Sequence, residues 1–326
     1  MTISPAPLFE DVAGGPAGGT AHWVTTSDNI RIRVAAWAPE TDAKGAVLLF
    51  PGRTEYIEKY GSTAKEFVDR GYAVLAIDWR GQGLADRLLD DPRVGHVAHF
   101  TDFQKDVSAA LRVARDIDLP KPWHVVGHSM GGAIALRSVI EGLSVQSCAF
   151  TGPMWGIYFN PVMKQLSRLT TYWGPKFGLG HKNPPTTSLE SYVLSQEFEG
   201  NVLTRDPDMY KMMQAQLEAH PELSLGAPST YWLGNALDEC AHLATRPSPD
   251  LPCLTFLGTH EQIVDRDAVR ARMQNWPRGR LVEIPGGEHE VLMEAAEVRN
   301  PVFDQLISLF AGNEPKAGST TFQRSA

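Results

Sequence analysis

A serine flanked by glycines is the strongest chemical signal in this sequence. Ser129 lies at the centre of Gly127-His128-Ser129-Met130-Gly131, which follows the apolar run 123–126 and precedes an apolar segment from Gly132 to Ile140. This order predicts a strand, a tight turn and a helix, and the turn leaves no room for side chains at its flanking glycines. Such a turn raises the serine hydroxyl above the sheet and directs the next backbone N–H at the same point. We therefore predict that Ser129 is a nucleophile and that the Met130 N–H stabilises an oxyanion.

A serine nucleophile needs a general base, and ten histidines compete for that role. His289 lies in the glycine-rich stretch 285–290, directly after the strand pattern Arg280–Ile284. An open parallel sheet presents its reactive groups at the carboxyl ends of its strands, so this position favours His289 as the base. His260 also follows a strand pattern. It ranks second because only the His289 loop remains downstream to supply its acid.

The acid that orients the base should follow a strand between the serine and the histidine. Two carboxylates, Glu261 and Asp265, follow the strand pattern 254–257. Glu261 comes first after the strand and is the predicted acid, whereas Asp265 is the alternative and suits the N-cap of the next helix. Asp78 ends an earlier strand, so we expect it to bind loop N–H groups instead.

The second oxyanion donor should come from the loop after an earlier strand. That loop contains Gly52 and Arg53, which follow the apolar run 46–50. Gly52 would let the backbone approach the substrate, and the backbone N–H of Arg53 would donate. For the Arg53 side chain, three alternatives stay open: a phosphate or polar head group, an ion pair with Glu55, or solvent.

Strand and helix patterns alternate along most of the chain. Continuous apolar runs at 46–50, 72–77, 123–126 and 254–257 are typical of strands covered on both faces, with amphipathic segments between them. Thr101 and Gln104 have the spacing of a capping box for one such helix. This alternation predicts an α/β fold with a mostly parallel sheet and helices on both faces.

One stretch, residues 154–245, lacks this alternation and reads as short helices joined by proline and glycine. We predict an inserted helical cap there, with 1–153 and 246–326 forming the sheet domain and with 1–20 and 312–326 as loose termini. The cap holds 11 of the 29 aromatic residues, which suits both a small core and an apolar pocket wall. The predicted substrate-binding residues are Gly52, Trp155, Tyr158 and Trp232.

Composition narrows the functional classes further. The 326 residues carry a formal charge of −8, and this acidic balance argues against a nucleic-acid partner. Three scattered cysteines are too few for a disulfide framework or a zinc site. The first 19 residues lack the pattern of a signal peptide, and no apolar run is long enough to span a membrane. We predict a cytoplasmic protein.

The motifs together resemble the α/β-hydrolase fold and, more narrowly, the bacterial lysophospholipase and monoacylglycerol lipase branch, which includes serine-aminopeptidase-like hydrolases. The resemblance extends from about residue 21 to residue 310. Four sets of residues carry it: FPGRTEY (50–56), IDWRGQGLADR (77–87), GHSMGG (127–132), and GTHEQIVD (258–265) with GGEHEVLME (286–294). It implies a helical cap between the sixth and seventh strands of the fold, in agreement with the insertion placed above.

The sequence departs from many relatives at three of these positions. Pro51-Gly52 stands where many relatives have His-Gly, Gln82 interrupts the common R-G-H-G run, and Glu261 stands where many have aspartate. Each departure favours the lysophospholipase side of the resemblance.

The sequence thus predicts a serine hydrolase that cleaves a fatty-acyl ester through an acyl-enzyme on Ser129. A lysophospholipid or a monoacylglycerol is the expected small-molecule substrate, and no metal or organic cofactor is required. A carboxylesterase, thioesterase or peptidase with the same triad stays open, as does a non-catalytic ligand-binding homologue. We expect no stable membrane insertion, only transient membrane contact. The sequence makes no prediction of oligomeric state.

Overall fold

A single ten-stranded sheet organises the computed structural model, which describes residues 3–185, 187–313 and 318–321. The strand order is β1-β2-β3-β5-β4-β6-β7-β8-β9-β10, antiparallel from β1 to the β3–β5 pair and parallel beyond it. The strands are β1 (Ile3–Pro5), β2 (Thr20–Thr25), β3 (Arg31–Trp37), β4 (Ala46–Phe50), β5 (Ala73–Asp78), β6 (Trp123–His128), β7 (Ser147–Thr151), β8 (Cys253–Gly258), β9 (Gly279–Ile284) and β10 (Gly318–Thr321). The predicted mostly parallel sheet is confirmed.

Ten α-helices lie in the described residues. They are α1 (Glu10–Ala13), α2 (Gly61–Asp69), α3 (Phe103–Asp116), α4 (Ser129–Ile140), α5 (Pro161–Trp173), α6 (Tyr192–Ser195), α7 (Pro207–Ala219), α8 (Thr230–Ala244), α9 (Arg266–Gln274) and α10 (Ala296–Phe310). Short 3-10 helices occupy Ile57–Tyr60, Phe100–Asp102, Pro175–Phe177, Pro221–Leu223 and Val291–Met293. None of the helices in the described ranges is long and apolar enough to cross a membrane.

The sheet is covered on both faces, as its continuous apolar strands predict. In β4, Leu48 belongs to one core cluster together with side chains of α3, α4 and α9. The neighbouring Leu49 points to the opposite face and joins the cluster that contains side chains of α2 and α10. Successive side chains of a strand point to opposite faces, so a strand buried on both must be apolar throughout.

The segment between β7 and β8 contains α5, α6, α7 and α8, and no strand among its described residues. Asp206 caps α7 with Pro207 at its first position, and Ser229 caps α8. The last of these helices packs against α4, where Glu239 forms a two-point ion pair with Arg137 at 2.6 Å. The apolar side chains of α8 therefore belong to the same core cluster as those of α4.

One local expectation, the capping box at the start of α3, is wrong. The predicted capping box does not form: α3 begins at Phe103 after a 3-10 turn, and no side chain caps it. Gln104 instead reaches α4, where its amide donates to the Ile134 carbonyl and its oxygen accepts from Ser138. The tertiary contact outcompetes the local cap because it satisfies buried polar groups on α4.

The N-terminal segment is attached rather than loose. β1 pairs with β2, and the Phe9 N–H donates to Glu58 at 3.1 Å while the Phe9 ring stacks on His220 at 3.7 Å. At the other end β10 pairs in parallel with β9, whereas 314–317 and 322–326 lie outside the described residues. The expectation of loose termini assumed no partners, and neither the glycine- and proline-rich N-terminal stretch nor the polar C-terminal one gave a sign of these pairings.

Candidate active site

Ser129 lies where β6 passes directly into α4, with no loop between them. Its φ of 49° is in the left-handed region, which an L-residue adopts only when the surroundings hold it there. The turn is also crowded: a β-carbon at Gly131 would lie 2.0 Å from the carbonyl oxygen of Phe50. The glycine at this position is therefore required for β4 and α4 to pack together, as the sequence pattern predicts.

Glu261 and His289 meet after β8 and β9. The Nδ1 atom of His289 lies 2.6 Å from a carboxylate oxygen of Glu261, and both side chains are buried. The other carboxylate oxygen accepts the backbone N–H groups of Ile263 at 2.6 Å and Val264 at 3.1 Å. Burial opposes ionisation of Glu261, but the charge and hydrogen bond of His289 and these two N–H groups outweigh it. The pKa of Glu261 is consequently below its ordinary value, and the ionised carboxylate fixes His289 in one orientation.

The competing candidates lie elsewhere. Asp265 caps α9 by accepting the N–H groups of Asp267 and Ala268, as the sequence predicts. Asp78 accepts loop N–H groups from Ile57 and Leu84, both at 2.8–2.9 Å. His260 is largely exposed beside Glu288. None of these three groups lines the cavities beside Ser129.

The oxyanion loop lies against Ser129. A β-carbon at Gly52 would be 3.0 Å from that of Ser129, so only glycine permits this approach. The Gly52 N–H donates to Glu55, whereas the backbone N–H groups of Arg53 and Met130 donate to no acceptor in the described part of the chain. Two unused donors beside the serine hydroxyl are what a developing oxyanion requires.

Two cavities meet at Ser129, and Arg53, Ser129 and Ile263 border both. The histidine-side cavity has about 310 Å³; besides these three residues its lining includes His289, Glu290, Lys59, Tyr192 and Leu203. The apolar cavity has about 240 Å³ and is lined mainly by Met154, Ile157, Phe159, Met163, Leu166, Trp232 and Leu233. A substrate with one apolar and one polar part can therefore place its reacting bond over Ser129.

Of the three aromatic residues predicted to bind substrate, the structure places one at the wall of a cavity beside Ser129 and two elsewhere. Trp232 lines the apolar cavity. Trp155 does not: it is buried against Phe150 and Trp276, and its ring N–H donates to the Gly132 carbonyl at 3.2 Å. Tyr158 is 56% exposed and borders neither cavity. Aromatic content indicates a segment that contributes to a cavity wall, but it does not indicate which side chains face the cavity, because that depends on helix packing.

Sequence reasoning missed a buried ion cluster, formed by Glu55, Lys59, His128 and Glu290, directly behind Ser129. The Lys59 ammonium bonds to Glu55 and, at 2.6 Å, to Glu290. His128 Nε2 lies 3.3 Å from Glu290 and 3.5 Å from Glu55. Each carboxylate thus faces both cations. The only local signal was the i, i+4 spacing of Glu55 and Lys59, which is common on exposed helices.

His128, Glu290 and Lys59 stabilise one another's charged forms in this cluster. Burial alone lowers the pKa of His128, but the Glu290 and Glu55 carboxylates outweigh it and hold that pKa above its ordinary value. Burial likewise raises the pKa of Glu290, and the charges of His128 and Lys59 bring it well below its ordinary value. Glu55, His128 and Glu290 are also the one group in the described residues whose atoms are close enough to hold a metal. The Lys59 ammonium supplies a cation there.

Replacing Lys59 with methionine should destabilise the fold strongly. The change removes the ammonium that both buried carboxylates contact, and removing one partner of a buried ion pair typically costs about 3–5 kcal/mol. Lys65→Met is the matched control because Lys65 pairs with Asp69 on the exposed face of α2, with both side chains more than half exposed. It should cost about 0.5 kcal/mol. Urea denaturation measures both values, and equal losses would contradict the role assigned to the cluster.

The sequence profile described as "Serine aminopeptidase, S33" matches residues 41–296. The chain belongs to this family. It is 27% identical over 310 residues to "Lysophospholipase L2" of Escherichia coli (strain K12), covering 90% of this chain and 88% of that protein. It is 34% identical over 224 residues to "Monoacylglycerol lipase" of Mycolicibacterium smegmatis, covering 67% of this chain and 72% of that one.

Solved structures are similar to this chain in fold. A soluble variant of monoglyceride lipase from Saccharomyces cerevisiae superimposes with a TM-score of 0.68 at 20% identity, over 90% of this chain and 94% of that one. A carboxyl esterase from Bacillus coagulans gives 0.71 at 16% identity, over 91% and 99%. The predicted α/β-hydrolase fold is confirmed.

Proposed function

We propose that this serine ester hydrolase cleaves the fatty-acyl ester of a lysophospholipid or a monoacylglycerol through an acyl-enzyme on Ser129. The observation that carries the proposal is the placement of a strained, cavity-lining serine beside an apolar cavity and the His289–Glu261 pair. The two relatives named lysophospholipase and monoacylglycerol lipase support the same substrate class.

The proposed roles follow from the geometry. The Ser129 hydroxyl attacks the ester carbonyl carbon while Nε2 of His289 takes its proton. The backbone N–H groups of Arg53 and Met130 donate to the oxyanion of the tetrahedral intermediate. Collapse of that intermediate breaks the bond to the alcohol, which leaves with the proton from His289. The ionised Glu261 stabilises the imidazolium during both transfers.

The second half of the reaction repeats these steps with water. His289 takes a proton from a water molecule whose oxygen attacks the acyl-enzyme carbonyl. The second tetrahedral intermediate then expels Ser129, which recovers a proton from His289. The products are a fatty acid and the free enzyme.

The two cavities suit the two parts of such a substrate. We propose that the fatty-acyl chain occupies the apolar cavity, because each CH₂ group buried there contributes about 0.8 kcal/mol. The alcohol would leave through the histidine-side cavity, whose walls include Ser191, Tyr192 and His289. We further propose that residues 154–245 act as a cap, since α5 and α8 supply much of the apolar wall. The cytoplasmic location and the absence of a nucleic-acid partner stay predictions.

A substrate panel tests the proposed class. The panel contains lauroyl lysophosphatidylcholine, monolauroylglycerol, lauroyl-CoA, an aminoacyl anilide and p-nitrophenyl acetate. We expect kcat/KM for the better lauroyl oxygen ester to exceed that for the acetate ester by about 100-fold or more, from burial of the additional methylene groups. The fastest turnover on the anilide would overturn the lipid assignment, and the fastest on lauroyl-CoA would make the protein a thioesterase.

A further inference from the structure

Arg53 is half-buried, and its guanidinium borders the cavities beside Ser129 without a carboxylate partner. Its Nη1 donates to the Gly226 carbonyl at 2.8 Å, and its Cζ lies 5.4 Å from the centre of the Trp232 ring. No Asp or Glu in the described ranges lies within ion-pair distance of it. By contrast, each of three buried arginines forms ion pairs with two carboxylates: Arg33, Arg80 and Arg137. The predicted alternative of an Arg53–Glu55 pair is wrong, because Glu55 binds Lys59.

The Arg53 guanidinium lies where a substrate would bind. Arg53 borders both cavities that meet at Ser129, as only Ser129 and Ile263 also do. Lys59 is the other cationic side chain of the histidine-side cavity, and Glu55 and Glu290 neutralise it. Arg53 therefore supplies the uncompensated positive charge next to the nucleophile.

A charge that is partly removed from water and has no ion-pair partner is costly unless a ligand compensates it. Burial lowers the pKa of Arg53 to about 10, so the guanidinium still carries its charge at neutral pH. The bond to the neutral Gly226 carbonyl leaves its charge unbalanced. A guanidinium has several donors in a planar fork, and that fork matches the oxygens of a phosphate. The site is thus complementary to an anion that a ligand brings with it.

We propose that Arg53 binds the phosphate of a lysophospholipid head group, and that this contact makes lysophospholipids the preferred substrates over monoacylglycerols. The inference rests on the proposed function. With the ester carbonyl at Ser129 and the acyl chain in the apolar cavity, the glycerol carries the phosphodiester a short distance beyond the scissile bond. A guanidinium that borders both cavities beside Ser129 is placed to meet it. A monoacylglycerol with the same chain has only a hydroxyl at that point.

The test compares Arg53→Met and Arg53→Lys with the unaltered enzyme on lauroyl lysophosphatidylcholine and monolauroylglycerol in the same mixed micelles. The readout is the ratio of kcat/KM for the phosphate-bearing lipid to that for the phosphate-free lipid. We expect Arg53→Met to lower this ratio about 10- to 100-fold, the range for losing a hydrogen-bonded contact with a charged group. Arg53→Lys, which keeps the charge and loses the fork, should give an intermediate ratio.

Arg87→Met is the matched control. Arg87 also lacks a carboxylate partner in the described residues, but it donates to the Glu222 and Ser224 carbonyls and borders a different cavity. Its loss should leave the ratio unchanged. An Arg53→Met enzyme that loses activity equally on both lipids would overturn the proposal and make Arg53 a positioning residue for the cap. An unaltered enzyme that cleaves neither lipid would instead overturn the proposed function.

A second experiment distinguishes a site for the phosphate of a lipid from a site for free phosphate ions. Inorganic phosphate and glycerol 3-phosphate are titrated as inhibitors of monolauroylglycerol cleavage. We expect weak competition from glycerol 3-phosphate that Arg53→Met removes. Strong competition by inorganic phosphate, combined with an unchanged lipid ratio in Arg53→Met, would overturn the head-group proposal in favour of a site for free phosphate.

Discussion

Ser129→Ala is expected to lower kcat on the best lauroyl ester by about 10⁴- to 10⁶-fold, the range seen when a serine nucleophile of this kind is removed. The oxygen of this hydroxyl is the atom that becomes acylated in the proposed reaction. Thr54 also has a left-handed φ and lines the histidine-side cavity, but its hydroxyl donates to the Arg53 carbonyl. The same change should abolish covalent labelling by a fluorophosphonate probe, which reacts with an activated serine. Active-site titration and mass spectrometry of the labelled peptide measure this.

Ser138→Ala provides the control for this prediction. Ser138 lies on the same helix, α4, is buried, and donates to the Gln104 side chain outside both cavities. It should keep both labelling and turnover close to those of the unaltered enzyme. His289→Ala should cost about as much as Ser129→Ala, and the double variant little more, because the two groups act as a unit. Labelling that persists in Ser129→Ala would identify another nucleophile.

Glu261→Gln should lower kcat by about 10³- to 10⁴-fold while leaving the fold intact. The carboxylate accepts from His289 Nδ1 at 2.6 Å, and a neutral amide there neither stabilises the imidazolium nor selects the required tautomer. Far-ultraviolet circular dichroism and steady-state kinetics on the lauroyl esters separate a catalytic loss from a folding defect. The loss should appear mainly in kcat, because Glu261 lines neither of the cavities that meet at Ser129.

Asp265→Asn is the matched comparison, since Asp265 is the other carboxylate of the same loop. Its side chain caps α9, and asparagine is about as good an N-cap as aspartate. We therefore expect both activity and stability close to those of the unaltered enzyme. If Asp265→Asn proved the more damaging change, Glu261 would not be the acid.

The buried ion cluster connects the parts of the site that must stay aligned. His128 directly precedes Ser129, and Glu290 directly follows His289. Glu55 binds the Gly52 N–H and Tyr60 hydroxyl as well as Lys59, so it holds the oxyanion loop. Three loops from distant parts of the sequence thus share one network of buried ion pairs. These ion pairs hold the loops together, which suits a site that must keep donors and nucleophile in register.

The sequence by itself determined the strands that carry the site and the residues of the proposed triad. Those signals are local: glycine spacing around Ser129, a glycine-rich loop before His289, and continuous apolar runs that only a doubly covered sheet can bury. Short-range sterics and burial decide these features, so a window of a few residues contains them. The N-cap of α9 was predictable for the same reason.

The tertiary structure alone decided which charges are paired and which are not. Lys59 and Glu290 are separated by 231 positions in sequence and still form an ion pair. Lys59 also pairs with Glu55, which leaves Arg53 without that carboxylate. The same holds for Trp155, which packs into the core, and for Gln104, which reaches across to α4 instead of capping its own helix. Electrostatic and packing energies depend on distance in space and on burial. Neither quantity exists until the chain has folded.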